Sequence, residues 1–582
     1  MNTSIVVAID FGLTYTGAAF IYPSVPFQSD DIRVVRRWPS YRGIRTHEKA
    51  PSAIAYPAYN PQNRERRWGF QIRPGMTASA WTKFQLDDEA SEELLPLRTG
   101  PWARAGGAFW LPNDKSPIQV TADFLAEIYR YVMRELQTYV TRMTRGNRAP
   151  IPVEFWFSVP NLWPEQAKQR MRQAAIMAGF GTGLRGQAAN LCFVNEAQAD
   201  MAYVISCSSS MTFPLLPQES VLICDCGGGT TDVSSFLITG IEPYSYEETT
   251  AASRVLCGAT TVQRALYALM IERFGNAFLN VPLSSRAPGS SFMVSFEEQM
   301  AGFTGQESSD MKLPLPMSSH RTNSVWYRNG WALLSVEDMK RLYQPTLETI
   351  CRLLNRQMAA APRNINRIFL VGGFSLCPYV LETISDCFLA PNGKTIVHQP
   401  ENPQLATVRG SVLWGTGVLR PATLVTECHF GIEPCMAICD FENANFTFLD
   451  AFSSGRSVTN DINWLVHKGY RYTANECGYD DVTLVYKHGD FPTKAINIYS
   501  STLDAAPAGL NHRGVSLAVP VLCNLSELNL DLTPRREVNG CLFHLVECKV
   551  RMTLGDNDGL LHFDVSSQGM LLNDPSIGLR LG

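Results

Sequence analysis

Residues 221–238 read VLICDCGGGTTDVSSFLI, and this stretch decides the fold. An apolar run ends on Asp225, three glycines (Gly227, Gly228, Gly229) and Thr230 follow, and a second apolar run begins after Asp232. That pattern is a buried strand, a tight turn and a return strand. The same pattern opens the chain. Ile5, Val6, Val7, Ala8 and Ile9 form a continuous apolar run, Asp10 ends it, Gly12 supplies the turn, and Gly17 sits in the return strand up to Phe20. A third apolar run, IFLV at 368–371, leads into Gly372-Gly373. Glycine belongs where backbone bends sharply or approaches a ligand closely, and successive N–H groups in such turns form a nest for an anion. Two of these turns carry an Asp at the strand end. A carboxylate beside a phosphate nest repels phosphate unless a cation mediates. Mg2+ suits that role because it keeps several waters and takes few carboxylates. The G-x-x-x-x-G-K-[ST] loop is absent, and no G-x-G-x-x-G follows a strand, so neither a Walker-type nor a dinucleotide-binding fold is indicated.

Outward from these turns, Phe124, Ile128, Tyr131, Val132, Leu136 and Val140 recur at helical spacing. The strand EFWFSVP at 154–160 precedes a helix expected over 165–178, opened by Pro164. Another helix is expected over 262–274. Residues 282–325, rich in Ser, Gly and Pro, read as loop-dominated. Ser335 and Asp338 form a capping box for a helix with the stripe Met339, Leu342, Tyr343, Leu347, Ile350 and Leu354. Residues 21–116 are loop-rich, and RERRW at 64–68 reads as a solvated surface.

After about residue 420 the pattern turns to β. Val546, Cys548, Val550, Met552 and Leu554 alternate with polar residues, GDNDG at 555–559 makes a turn, and Leu561, Phe563 and Val565 alternate again. That is a hairpin with one buried face. Shorter runs at 482–486 and 495–499 are similar. Trp464, Val466, Lys468 and Gly469 form a strand leading into a turn, read as sandwich packing.

The 582 residues, 45% apolar and 18% charged, exclude a disordered chain and predict three or four lobes. With 50 Lys plus Arg against 54 Asp plus Glu, the chain lacks the basic excess of a general nucleic-acid binder. No apolar stretch is long enough to span a membrane, and no secretory signal is read, so a cytoplasmic location is expected. The 15 cysteines include no C-x-x-C and read as buried, reduced thiols. Cys224 and Cys226 are expected on opposite faces of their strand, unable to share a metal. The nine histidines form no zinc cluster, and His544 and His562 are expected exposed or paired across a hairpin. Asn445-Phe446-Thr447 fits a glycosylation acceptor, expected to be unused.

These segments, in this order, resemble the actin/hexokinase/heat-shock ATPase superfamily, and most closely the nucleotide-binding domain of the seventy-kilodalton heat-shock chaperones. AIDFGLTYTGAAF (8–20) resembles the first phosphate loop and VLICDCGGGTTDVSSFLI (221–238) the second. FWFSVPNLWPEQAKQRMRQAAIMAGF (155–180) resembles the strand, Val-Pro and helix between them. FVNEAQADMAYV (193–204) and NPQLATVRGSVLWGTG (402–417) resemble the two connecting helices, and RIFLVGGFSLCPYV (367–380) the adenosine segment. The resemblance implies an α/β, actin-like two-lobed ATPase domain with a duplicated ribonuclease-H-like fold. Lobe I spans 1–192 and lobe II 193–402, a connecting helix at 403–420 returns to lobe I, and a smaller β-rich module occupies 421–582. It implies ATP or ADP with Mg2+ as ligands. Asp10 and Asp225 hold the metal shell through water, with Glu196 and Asp232 as further carboxylates. Gly12, Leu13, Thr14 and Tyr15 cradle phosphate from one side, and Gly227, Gly228, Gly229 and Thr230 from the other. Gly258, Gly372, Gly373 and Phe374 line the nucleotide. Lys83, in AWTKFQLD, is the candidate for the lysine near the γ-phosphate. The implied chemistry is in-line attack of water on that phosphate by a slow ATPase acting as a nucleotide-driven switch or chaperone. A protein client or co-chaperone is implied at the C-terminal module.

Departures from the family pattern keep other readings open. Leu13 stands where a hydroxyl is usual. In FEEQMAGF (296–303), Met300 and Ala301 stand where Lys-Arg would meet adenosine, and Phe374 and Leu376 replace small polar and Arg residues. No acidic–leucine linker follows Leu419, and no helical lid pattern is found near the end. The chain reads as a divergent, fungal-type member. A degenerate scaffold without ATPase activity is one alternative, and a metabolite kinase of the same superfamily another.

Overall fold

In the computed structural model the chain divides into two compact units, residues 1–161 with 167–420, and 162–166 with 421–582. The structure describes residues 4–22, 31–40, 47–88, 110–144, 151–186, 189–208, 214–241, 244–317, 324–388, 395–417, 419, 423–426, 428–433, 462–473, 477–538, 540–554, 560–573 and 578–580.

The first apolar run becomes β1 (Ile5–Phe11), buried along its whole length as a strand covered on both faces must be. It turns into antiparallel β2 (Tyr15–Ile21), whose outer side pairs with β3 (Lys49–Pro51). Helix α1 (Pro117–Met143) starts at Ser116, which exchanges hydrogen bonds with Gln119 in a capping box, and buries the stripe from Phe124 to Val140. β4 (Val153–Val159) lies parallel to β1, and α2 (Glu165–Ala178) follows. β5 (Asn190–Asn195) lies parallel to β4 and runs straight into α3 (Glu196–Cys207).

A second sheet has the same strand order and directions. β6 (Ser220–Cys226), β7 (Thr231–Ile241) and β8 (Tyr244–Val255) form an antiparallel meander. Helices α4 (Ala259–Phe274), α5 (Ser291–Ala301) and α6 (Val336–Ala360) follow. β9 (Arg367–Val371) then pairs parallel to β6, α7 (Pro378–Phe388) crosses, and β10 (Ile396–His398) pairs parallel to β9. The order is β2-β1-β4-β5 in one sheet and β7-β6-β9-β10 in the other. Helix α8 (Ala406–Gly415) packs on α3, and one apolar core joins these two helices to residues of both sheets, among them Ala8, Trp156, Ile223 and Phe369. The α3–α8 crossing is tight. A Cβ on Gly410 would lie 1.7 Å from the carbonyl oxygen of Ala199.

Several expectations change. Residues 282–325, expected to be loop-dominated, contain helix α5. Ser290 caps α5 by accepting from the Met293 N–H, and the helix buries Phe292, Met293, Phe296 and Met300. The surrounding Ser, Gly and Pro hid a short helix whose apolar face is complete. Helix α4 begins at Ala259, three residues before the apolar spacing reveals it. Ser335 and Asp338 form the expected box at the start of α6. Cys224 and Cys226 share a face of β6, with sulfurs 3.6 Å apart, because strand side chains repeat every two residues. Among the described residues no three His, Cys, Asp or Glu are grouped to hold a metal directly. The thiols are not uniformly buried: Cys387 is exposed.

The second unit contains two sheets. β11 (His429–Ile432), β12 (Asn463–Val466), β14 (Thr493–Ser501) and β15 (Ser516–Asn524) form one, in the order β12-β11-β14-β15. β13 (Cys477–Lys487), β16 (Arg535–Val538), β17 (Cys541–Leu554) and β18 (Leu560–Ser567) belong to the other. β17 and β18 pair with Val550 opposite Val565. Inner residues of both sheets, including Phe430, Ile498, Val521, Val546 and Phe563, share one core. Of the two placements expected for His544, it takes the paired one: it is buried, opposite Arg535 in the β16–β17 ladder, with Thr533 at 3.0 Å and His488 at 3.3 Å. The glycosylation triplet at 445–447 and the turn at 555–559 lie outside the described residues. Among the described residues no helix is long and apolar enough to cross a membrane.

Because the neighbour of Gly410 is backbone, Gly410→Ala forces α3 and α8 apart. Chemical denaturation is expected to show a loss of about 1–3 kcal/mol. An unchanged midpoint would contradict the tight crossing.

Candidate functional site

β1 and β6 are equivalent central strands, and each ends in a carboxylate followed by a glycine turn. In the first turn the Gly12 N–H donates to the Tyr15 carbonyl at 3.1 Å. In the second the Gly227 N–H donates to the Thr230 carbonyl at 3.0 Å. The turns touch: a Cβ on Gly228 would lie 2.3 Å from Thr14 Oγ1, and one on Gly229 would lie 2.1 Å from Leu13 Cδ2. The Leu13 side chain is buried with Trp81 and Phe84, so it anchors one turn to the other through packing. Ser52 braces the first turn. Its N–H donates to the Thr14 carbonyl and its hydroxyl to the Gly12 carbonyl, each at 2.8 Å. Tyr15 stacks on His47 at 5.6 Å.

Gly258 lies against the second turn, 2.5 Å from the Gly227 carbonyl were it to carry a Cβ. The first N–H groups of α4 then donate to that turn: Ala259 to Gly227 at 3.3 Å and Thr260 to Gly228 at 2.8 Å. Gly372 has φ +84°, which favours glycine, and a Cβ there would meet Asp225 Oδ1 at 2.2 Å. Gly373 follows in the same turn. Phe374 points away into the core, stacked on Tyr343 at 6.0 Å, and presents no free ring face. Met300 is buried, and its carbonyl accepts from the Tyr343 hydroxyl at 2.7 Å.

The carboxylates converge. Asp10 accepts from Ser158 Oγ at 3.1 Å and from Lys49 Nζ at 2.6 Å. Burial alone would raise its pKa, but Lys49 and Lys83 outweigh burial and hold the carboxyl below its ordinary value. Lys83, in the 3-10 turn Thr82–Leu86, donates to Glu196 Oε1 at 2.7 Å, with both side chains buried. Glu196 is nonetheless pushed up, first by burial, against the pull of Lys83 and with Asp232 and Asp10 adding repulsion. Asp232 sits directly across from Asp225 in the ladder and accepts from Arg254 Nε at 2.7 Å. Asp225 is pushed up to about 8 by burial and then by Glu196, Asp232 and Asp10. All five predicted polar residues, Asp10, Lys83, Glu196, Asp225 and Asp232, therefore share one electrostatic neighbourhood.

Three further residues belong to it. Asp200 lies one turn after Glu196 on α3, a spacing readable in FVNEAQAD, and accepts from Thr407 at 2.8 Å. Burial and Asp225 push it well above its ordinary value. Arg254 becomes visible only through the register of β7 and β8. Lys49 has no local motif at all.

A hydrated divalent cation fits this set. Asp10 and Asp225 stand near the ends of the two central strands whose turns meet, and a pair of carboxylates suits Mg2+, which retains waters. Asp200 Oδ2 and Asp232 Oδ2 are buried without hydrogen-bond partners, as acceptors for such waters would be. The raised Asp225 marks negative charge that a cation would relieve.

Two strand–turn–strand units of the same order, with converging carboxylates, are consistent with an actin-like α/β fold. No family model matches. The chain is 23% identical to heat shock 70 kDa protein 12B of Homo sapiens over 495 residues, covering 72% of this chain and 69% of that one. It is 22% identical to heat shock 70 kDa protein 12A of Mus musculus and of Homo sapiens, covering 72% of this chain and 70% of each. These similarities support the resemblance to the heat-shock 70 kDa family, with this chain as a divergent relative.

Asp225 gives a pH signature. Its pKa is about 8 folded against about 3.9 unfolded, so the folded state holds the extra proton between those values. Stability contributed by this group therefore falls as pH rises from about 4 to about 8. In EDTA and without nucleotide, Asp225→Asn is expected to melt above wild type at pH 8, with the gap narrowing toward pH 5. A gap independent of pH would contradict the assignment.

Proposed function

We propose that the chain binds a magnesium–adenine nucleotide between its two glycine turns and hydrolyses ATP slowly, as a nucleotide-driven conformational switch. The observation that carries this reading is the contact of the two turns, Gly228 on Thr14 and Gly229 on Leu13, with Asp10 and Asp225 at the ends of their strands. Backbone N–H groups of both turns would bind the phosphates, and Lys83 would sit near the γ-phosphate after exchanging part of its bond to Glu196. Asp10 and Asp225 would hold Mg2+ through water, and the metal would supply charge neutralisation across the phosphates. Glu196, whose carboxyl burial pushes above its ordinary value, is suited to orient a water and take up its proton. Two lobes, 1–192 and 193–402, joined through 403–420, would close on the γ-phosphate, and the module at 421–582 would offer the state to a protein client or co-chaperone in the cytoplasm.

One observation favours a second reading, binding with little or no turnover. Leu13, Phe374 and Met300 are committed to packing, so the first turn lacks a hydroxyl at 13 and the adenine side lacks a stacking group.

Thermal unfolding with MgATP separates these readings from an empty scaffold. At 100 times its dissociation constant, a ligand of the native state adds about 2.7 kcal/mol. A shift with slow phosphate release, and release lost in Asp225→Ala, is expected. A shift without release would favour the second reading, and no shift at millimolar MgATP would overturn both.

A further inference from the structure

Three residues lie in a row across three strands. In the β1–β2 ladder Asp10 is the partner of Gly17, and in the β2–β3 ladder Gly17 is the partner of Lys49. Adjacent strands are about 4.8 Å apart, so Lys49 and Asp10 start about 10 Å from each other. An extended lysine and the aspartate side chain reaching toward it bridge that span only if nothing stands between. Nothing does, because the middle residue is glycine. A Cβ on Gly17 would meet Lys49 Cγ and Cε, each at 3.3 Å. The stem lies in this slot, and its ammonium reaches Asp10 at 2.6 Å. His47 fixes the base of the lysine, with Nδ1 2.6 Å from its carbonyl oxygen, while the same ring stacks on Tyr15 of the first turn.

The second sheet carries the corresponding row with different chemistry. Asp225 is the partner of Asp232, and Asp232 of Arg254. There a carboxylate fills the middle position and takes the cation, so the charge stops one strand short of Asp225. In the first sheet the glycine lets the cation through to the strand-end carboxylate itself.

We infer that Lys49 is a resident cation of the phosphate site, one that neutralises Asp10 in the empty cleft and donates to the phosphate bound at the Gly12–Tyr15 turn, so that nucleotide binding keeps a component independent of divalent metal. Asp10 lies two residues before Gly12, at the mouth of the anion nest. A lysine suits this double role because its compact charge sits on a flexible stem and can turn among several oxygens. The inference rests on the nucleotide reading above.

Titration with a fluorescent ADP analogue, in Mg2+ and separately in EDTA, tests it. Wild type is expected to bind in Mg2+ and to retain weaker but measurable binding in EDTA. Lys49→Met is expected to lose the EDTA binding and to bind about ten- to a hundredfold more weakly in Mg2+, the worth of a charge-assisted hydrogen bond. Lys49→Arg, which keeps the charge, should restore part of the EDTA binding. Gly17→Ser, which crowds the stem without touching the charge, should reproduce the loss, and circular dichroism of each variant establishes that it is folded. Equal binding by wild type and Lys49→Met, or a wild type that binds in Mg2+ but not at all in EDTA, would overturn the role of Lys49 and leave the nucleotide reading intact. A wild type that binds in neither condition would overturn the nucleotide reading and this inference with it.

Discussion

The site depends on how closely two glycine turns approach. Thr14 and Leu13 stand where side chains on Gly228 and Gly229 would be, so each turn is the wall of the other. That contact brings the strand ends together, and with them Asp10 and Asp225. The remaining features either hold the approach or manage its electrostatic consequence. Leu13, Trp81 and Phe84 hold it through apolar packing. Ser52 ties down one turn, and the N-terminus of α4 ties down the other.

The consequence is a concentration of negative charge. Asp10 and Asp232 lie close enough to Glu196 and Asp225 to push both upward, and Asp225 and Glu196 do the same to Asp200. Three cations answer them, each on a different carboxylate: Lys49 on Asp10, Lys83 on Glu196, and Arg254 on Asp232. Asp225 and Asp200 carry the excess, and both are pushed upward. A buried cluster of this kind costs stability when no counter-charge is bound, a cost that the proposed nucleotide and cation binding would offset.

Much of this was legible in the chain. The apolar runs at 5–9 and 221–224, each followed by Asp and glycine, announced both turns, because a continuously apolar strand and a glycine turn are local signals. Ser335 with Asp338 announced α6 for the same reason. Lys83 and Glu196 came from the family resemblance, and the structure joins them at 2.7 Å. Lys49 and Arg254 stayed hidden because their places follow from strand register, which pairs residues far apart in sequence. The short helix at 291–301 was masked by the Ser, Gly and Pro around it. The faces of Cys224 and Cys226 follow from the two-residue repeat of a strand, and their sulfur contact corrects the opposite expectation. His544 pairs across its hairpin with Arg535, one of the two expected placements, while its burial depends on Thr533 and His488, which lie just outside the neighbouring strands.

The most direct measurement is a crystal structure of the full chain grown with ADP and Mg2+. The account predicts density for the β-phosphate between residues 12–15 and 227–230, with hydrated metal between Asp10 and Asp225. A nucleotide bound elsewhere, or the two turns in contact with no ligand between the strand ends at saturating MgADP, would contradict it.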